Sequence, residues 1–370
     1  MEVFKPLGFD KGLAVVTVAL LGIGFIMVFS SSGVLAEQKY NQPMHYLVQQ
    51  VIGAIGGLFL AALILSIRRP FYQNGLFVHA LLVLSAALLA ACFVMPTVAR
   101  VNRWVILFGV RFQPSELAKI SLVLYLAYYL EKKRDRVQEW KTLIVPVAAM
   151  GGFALLIMKE PDYGTAFLVC AIGGMMLYLG GARLVHLAVL GGVAAALFGV
   201  YLFSAKYRVE RITGFVSTQK DIMGRDFQPY QAKLAIGSGG LFGVSLGEST
   251  QKLDYLPYAH TDFIYAILGE EFGLLGTLAI LALFMVVLWR GLYVASRAPT
   301  PAARLAAVGL TLVLIVQALL NITVVLGLGP AKGVPLPLVS FGRSSLVCSL
   351  VSIGLLLNIS QRRGIERHGR

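Results

Sequence analysis

Apolar stretches of roughly twenty residues recur along the chain, separated by short polar and basic segments. A helix needs about 20 apolar residues to cross a hydrocarbon core of about 30 Å. The runs predict ten spans, near 13–29, 47–67, 75–95, 115–130, 143–158, 164–181, 184–204, 262–289, 305–326 and 344–360. Alternation with period two is absent, which argues against an outer-membrane barrel. The first run follows Lys5 and Lys11 and resembles a signal sequence in charge pattern. Its length and the many spans behind it predict an uncleaved first helix.

Composition strengthens this reading. Of 370 residues, 58% are apolar and only 14% are charged, and mean hydropathy is +0.78. So few charges cannot cover the surface of a soluble protein, so the expected fold class is all-α, a polytopic integral membrane protein. Net charge is +14. In a membrane protein that excess reports topology and anionic headgroups, and no aromatic-plus-basic motif suggests nucleic acid. The loops on the N-terminal side, with the tail, carry seventeen Lys and Arg, against eight in the short loops of the other set. Basic loops stay inside, so both termini are expected in the cytoplasm. Cys92, Cys170 and Cys348 fall in apolar runs as buried small side chains, and the five histidines show no metal-ligand spacing.

The segment 205–261 is then a long outer loop, and its Lys206, Arg208, Arg211, Lys220, Arg225 and Lys233 run against the inside bias. Either they bind an anion such as a pyrophosphate, or they are solvated and paired within the loop. The run GSGGLFGVSLG over 237–247 lacks the Lys-Ser/Thr ending of a phosphate loop and has no preceding strand. Tight turns near the membrane surface are expected there.

Three further polar patches share the outer face. In 100–119, Glu116 and Lys119 are i,i+3 neighbours inside the start of a span and can pair. The patch 159–165 reads KEPDYGT. In 327–345, prolines and glycines preclude a simple helix and predict a re-entrant segment packed on protein. Between loop and span stands Asp262, in KLDYLPYAHTDFIYAILGEEFGLLG over 252–276. One reading has it capping the helix that follows. The other has it as a functional ionisable group at membrane depth. Glu270, eight positions later, lies about 80° round an ideal helix and can face the same cavity or serve as a structural hydrogen-bonding group. Together the patches suggest one outward cavity lined by carboxylates and cations.

The motifs RWVILFGVRFQPSELAK, EPDYGT, YRVERITGF, QAKLAIGSGGLFG, LDYLPYAHTDFIYAILGEEFGLLG and GVPLPLVSFGRSS occur in that order. The chain resembles the SEDS family (shape, elongation, division, sporulation), of FtsW and RodA type, and the resemblance spans residues 1–370 as one membrane domain. QKLDYLPYAHTDFIYAILGEE and the segment holding Lys332 are similar to the FtsW branch, while QAKLAIGSGGLFG and VPLPLVS are nearer RodA. The lean is to the division branch. Where the family usually reads Ser-Tyr-Gly-Gly-Ser-Ser, this chain has Arg343 in place of a Gly.

The resemblance implies a peptidoglycan glycosyltransferase that polymerises lipid II outside the bacterial cytoplasmic membrane. It implies a class B penicillin-binding protein as transpeptidase partner, within a division or elongation complex. The family's catalytic acid maps to Asp262. For the pyrophosphate, Arg208 and Arg211 are the first candidates, with Lys119 and Lys332 next. Glu116 is expected to hold Lys119, Asp162 to organise the cavity or meet a divalent cation, and Arg103, His260 and Ser340 to line the substrate site. Magnesium or manganese suits hard oxygen ligands, but no ligand set is visible in the sequence. Two rival readings are a flippase for polyprenyl-linked sugars and a non-catalytic scaffold. A transporter commonly carries internal repeats and polar groups at mid-membrane. No repeat is evident, and the charges gather at the outer face.

Overall fold

In the computed structural model, the described residues are 8–67, 69–95, 102–107, 110–203, 227–252, 256, 259–329 and 333–361. They form helices α1 (Lys11–Tyr40), α2 (His45–Ser66), α3 (Gly75–Ala91), α4 (Pro114–Lys132), α5 (Trp140–Lys159), α6 (Tyr163–Leu179), α7 (Leu184–Phe203), α8 (Phe227–Ser238), α9 (Ile264–Ser296), α10 (Pro301–Val325) and α11 (Arg343–Gln361). A small antiparallel hairpin, β1 (Val105–Leu107) and β2 (Val110–Phe112), precedes α4. Each of the ten predicted spans coincides with one helix. Six of them, α1, α2, α5, α9, α10 and α11, are long and apolar enough to cross a membrane.

The core gathers around α4, α10 and α11, whose residues are mostly buried. Helix α2 packs along α11, α9 along α10, and α10 along α4. Apolar side chains gain little by meeting each other rather than lipid, so close approach at small residues does the work. A Cβ on Gly354 of α11 would lie 2.7 Å from the Ala61 backbone of α2. At the outer edge, α7 touches chiefly α6 and exposes Leu184, Val189, Leu197 and Phe203, as expected of a helix facing acyl chains.

The two ends of the described chain meet at one end of the bundle. Asp10 caps α1 by accepting from Leu13 N at 2.9 Å. Its carboxylate is paired by Arg290 of α9, and its own N–H donates to Ser360 Oγ of α11 at 3.0 Å.

Two expectations need correction. Asp262 does not cap α9. The helix begins at Ile264 and its cap position is Phe263, which makes no side-chain cap bond. The turn 259–263 precedes the helix, so Asp262 stands before the cap position. The segment 205–261 is also more than a loop. It contains α8, which packs on α9, because FQPYQAKLAI has good helix formers and an apolar side to bury.

Residues after α8 do more than turn at a surface. Helix α9 breaks at Gly273 (φ 65°, ψ −160°), a conformation essentially confined to glycine. A break orphans backbone groups that lipid cannot satisfy. Residues 240–245 supply the partners. Val244 N donates to Glu270 O at 3.0 Å and Ser245 N to Glu271 O at 3.2 Å. Leu274 N and Leu275 N donate to Gly240 O and Leu241 O, at 2.9 and 3.3 Å. The backbones approach so closely that a Cβ on Gly239 or Gly243 would run into Gly269 or Glu271. The glycine run is a splint for a broken helix.

Candidate active site

Asp262 lies in the turn ahead of α9, at the bundle end opposite the Asp10–Arg290 pair. Asn321 of α10 positions the turn, with its Nδ2 donating to Asp262 O at 2.8 Å and to Val334 O at 2.8 Å. The carboxylate itself faces the segment 333–342, and a Cβ on Gly333 would stand 3.0 Å from Asp262 Oδ2. This segment is non-helical and packed on protein, as its prolines and glycines require. One turn of α10 below Asn321, Gln317 Nε2 donates to Pro335 O at 3.0 Å. From α2, Gln50 Nε2 donates to Ser340 O at 3.0 Å, and Gln50 Oε1 accepts from Gly342 N at 3.3 Å.

The turn between α5 and α6 brings the second carboxylate. Asp162 caps α6, accepting from Thr165 N at 3.1 Å and Thr165 Oγ1 at 2.9 Å, and takes a further bond from Gln113 Nε2 at 3.3 Å. Arg103 donates through its guanidinium to the carbonyls of Glu160 and Pro161, which places a cation at the same turn. Burial raises the Asp262 carboxyl to about 7; the Asp162 charge adds to the rise and the Arg103 cation offsets part of it. Desolvation thus outweighs the cations, which helix position and sequence could not decide. Glu160, fully buried at the end of α5, is pushed up to about 8, first by burial and then by Asp162, with Cys92 and Arg103 opposing.

The other candidates fall into layers. His260 lies with its ring tilted against Tyr46, centroids 4.6 Å apart, while its carbonyl accepts from Phe341 N at 2.9 Å. Burial, then Lys39, lowers its imidazole to about 4, so it is neutral at physiological pH. Ser340 shapes the turn of 336–340, its Oγ accepting from Leu336 N at 2.9 Å. Glu116 and Lys119 form the expected pair, Nζ to Oε2 2.9 Å, both buried. Lys119 also donates to Gln317, so its ammonium is committed within the protein one layer below Asp262. Arg343 is half-buried at the head of α11, its stem facing Gly53 of α2, where an added Cβ would stand 3.4 Å from Arg343 Cγ. Arg208, Arg211 and Lys332 lie outside the described residues.

Glu270 and Glu271 do not reach the Asp262 turn. Glu270 is buried and accepts from Ser249, from Thr250 N at 3.0 Å and from Thr250 Oγ1 at 3.1 Å. Glu271 pairs with Lys252 at 2.9 Å and accepts from Ser30 of α1. Both bind the strip 249–252 to the broken helix. Gln50, Gln317, Asn321 and Glu160 were not singled out from the sequence. The signal was there for two of them. Gln317 and Asn321 stand four apart in VLIVQALLNITVV, and amides at that spacing share one face of an apolar helix.

Apolar helices packed around a non-helical segment mark a multi-pass membrane protein, with carboxyl groups gathered at one bundle end. Residues 11–364 match the family model described as cell cycle protein, covering FtsW, RodA and SpoVE, and the chain belongs to that family. It is 37% identical to a protein of Trichlorobacter lovleyi named probable peptidoglycan glycosyltransferase FtsW, over 96% of this chain and 94% of that one. It is 36% identical to stage V sporulation protein E of Bacillus subtilis, over 95% of this chain and 97% of that one. Among solved structures it is similar to a chain described under structural coordination of polymerization and crosslinking by a peptidoglycan synthase complex. That match has a TM-score of 0.79 and 26% identity, over 96% of this chain and 99% of that one.

Proposed function

We propose that this chain is an FtsW-like peptidoglycan glycosyltransferase. It polymerises lipid II at the outer face of the bacterial cytoplasmic membrane, in division, with a class B penicillin-binding protein supplying the transpeptidase. Membership of the family and the names of the relatives support this reading. The observation that carries the chemistry is Asp262, a half-buried carboxyl held by its backbone and brought to about 7. A general base works best with a pKa near the operating pH.

Asp262 takes the proton from the acceptor GlcNAc 4-hydroxyl. The freed oxygen bonds to the anomeric carbon of the donor MurNAc. The bond from that carbon to the pyrophosphate oxygen breaks, and undecaprenyl pyrophosphate leaves with the electron pair. One displacement inverts the centre and forms a β-1,4 link. Pyrophosphate leaves without a general acid, so a second catalytic carboxyl of the glycosidase kind is not needed. Negative charge grows on the leaving group, and fixed cations stabilise it. Arg103, which donates to the carbonyls of Glu160 and Pro161, is proposed to serve here, with Arg208, Arg211 and Lys332. Among the described residues, no group of three or more His, Cys, Asp or Glu is arranged to hold a metal ion, and no step is routed through one. Both termini are proposed to lie in the cytoplasm, the reading that the excess of basic residues in one set of loops supports.

The test is lipid II polymerisation by the purified protein with its cognate class B penicillin-binding protein. Wild type is expected to make glycan chains and Asp262→Asn none, a loss of about 10²–10⁴ in rate. Equal chains from both would remove Asp262 from the chemistry. No chains from wild type, with lipid II crossing vesicle membranes instead, would favour the flippase reading.

A further inference from the structure

A continuous file of aromatic rings leads away from the Asp262 turn. His260, two positions before Asp262, lies against Tyr46 at 4.6 Å and Phe341 at 5.7 Å. Tyr46 meets Phe341 edge-on at 5.1 Å and, on the outward side, His45 at 5.5 Å and Tyr40 at 5.9 Å. At the outer end, Tyr40 and His45 stack in parallel, centroids 4.0 Å apart and planes within 18°. A left-handed residue, Asn41 (φ 53°), closes α1 and turns the chain so that these two rings meet. Exposure rises along the file, from His260 at 7% to Tyr40 at 40%.

Polar groups line the same file. Gln49 Nε2 is 2.6 Å from His45 Nε2, and the Lys39 ammonium is 5.4 Å from the Tyr40 centroid. Interfacial anchors serve as belts of separate tyrosines and tryptophans at headgroup level. Here the rings touch one another, stacked at Tyr40 and His45 and edge-on or tilted elsewhere, joined to the backbone of the catalytic turn through Phe341 N and His260 O, and edged with amide and imidazole groups.

We infer that the file from His260 to Tyr40 is a binding track for pyranose rings, carrying sugars of the growing glycan strand beyond the reacting pair. The inference rests on the glycosyltransferase reading. A pyranose presents polarised C–H bonds on its face and hydroxyls round its edge. The negative face of an aromatic ring attracts the first. Amides, neutral imidazoles and phenols bond the second in either direction. His260 is neutral at physiological pH and suits this task. Phosphate or peptide would call for fixed cations along the file, whereas its edge contacts are amide and imidazole, with Lys39 at the Tyr40 end. A strand attached at the reacting centre must leave along some surface, and this surface starts two residues from Asp262 and ends at the exposed ring of Tyr40.

The experiment compares wild type, Tyr40→Ala and Tyr40→Trp, each purified with the partner transpeptidase and matched for thermal stability. Glycan length is read on gels after lipid II polymerisation. Binding of soluble lipid-free GlcNAc–MurNAc oligosaccharides is read by saturation-transfer NMR. Tyr40→Ala is expected to shorten the chains and weaken oligosaccharide binding by roughly two- to tenfold, and Tyr40→Trp to restore both. Wild-type chain lengths and unchanged binding in Tyr40→Ala would overturn the track while leaving the enzyme standing. A loss confined to membrane level or stability would also overturn it, in favour of an interfacial anchor. Absence of polymer from wild type would overturn the underlying reading and the track with it.

Discussion

The side-chain amide of Asn321 donates to the carbonyl of Asp262 at 2.8 Å and to that of Val334 at the same length. One side chain thus fixes the turn that carries the acid and the non-helical segment that faces it. Asn321 itself is anchored in α10, among the most buried helices of the bundle.

Asn321→Leu deletes both bonds and leaves two buried acceptors. Each unsatisfied group costs about 1–3 kcal/mol. The expected outcome is a lower melting temperature in detergent and a fall in kcat larger than that from Thr323→Val on the other side of α10. Equal effects from the two substitutions would show that Asn321 only stabilises the fold.

The pH dependence of polymerisation follows from the environment of Asp262. Its carboxyl is raised to about 7, and a carboxyl serving as the proposed base must be ionised, so the rate should climb with pH through about 7. Asp162→Asn keeps the α6 cap but removes a negative charge, so the limb should move to lower pH. Arg103→Gln removes the opposing cation and should move it higher. Initial rates across a pH series check both signs. A limb that ignores both substitutions would mean that Asp262 is not the titrating base.

Gly273→Ala tests the broken helix. Alanine at φ 65° is strained by about 1–3 kcal/mol, and its Cβ would stand 2.5 Å from Gly243 N. The variant should unfold at lower temperature and free the strip 249–252, read as faster hydrogen exchange at Thr250 and Lys252. Unchanged exchange there would separate the splint from the hold that Glu270 and Glu271 exert.

At the opposite end, Arg290→Leu strands the buried Asp10 carboxylate. Breaking a buried pair by removing one partner costs about 3–5 kcal/mol. Asp10→Asn with Arg290→Leu should recover part of this, because the cap to Leu13 N survives and no charge is left alone. Thermal unfolding of the single and double variants measures the difference.

Much of this protein is written in one dimension. The length of each apolar run forces a helix, because lipid offers backbone groups no partner, and all ten runs became helices. Asp262 was legible because a carboxyl where a loop enters a span is costly. Glu116 and Lys119 were legible because i,i+3 spacing alone brings them together. Local pattern did not disclose the use of Asp262. A good capping residue stands before a helix, yet the helix starts two positions later and Phe263 occupies the cap.

Pairings between distant segments were not legible at all. Val244 with Glu270 and Leu274 with Gly240 are backbone contacts, and no side-chain pattern encodes them. The glycines at 239, 243 and 273 mark only that something passes close. Likewise the pKa of Asp262 depends on burial and on Asp162 and Arg103, which come from turns 100 and 159 positions away. The sequence by itself determined the membrane class, the helices and the acid at the loop–span junction, since these follow from local hydrophobicity and charge. Only the tertiary structure decided which carbonyls Asn321 binds, what fills the break in α9 and how far burial lifts Asp262, because each depends on which distant groups exclude water from one another.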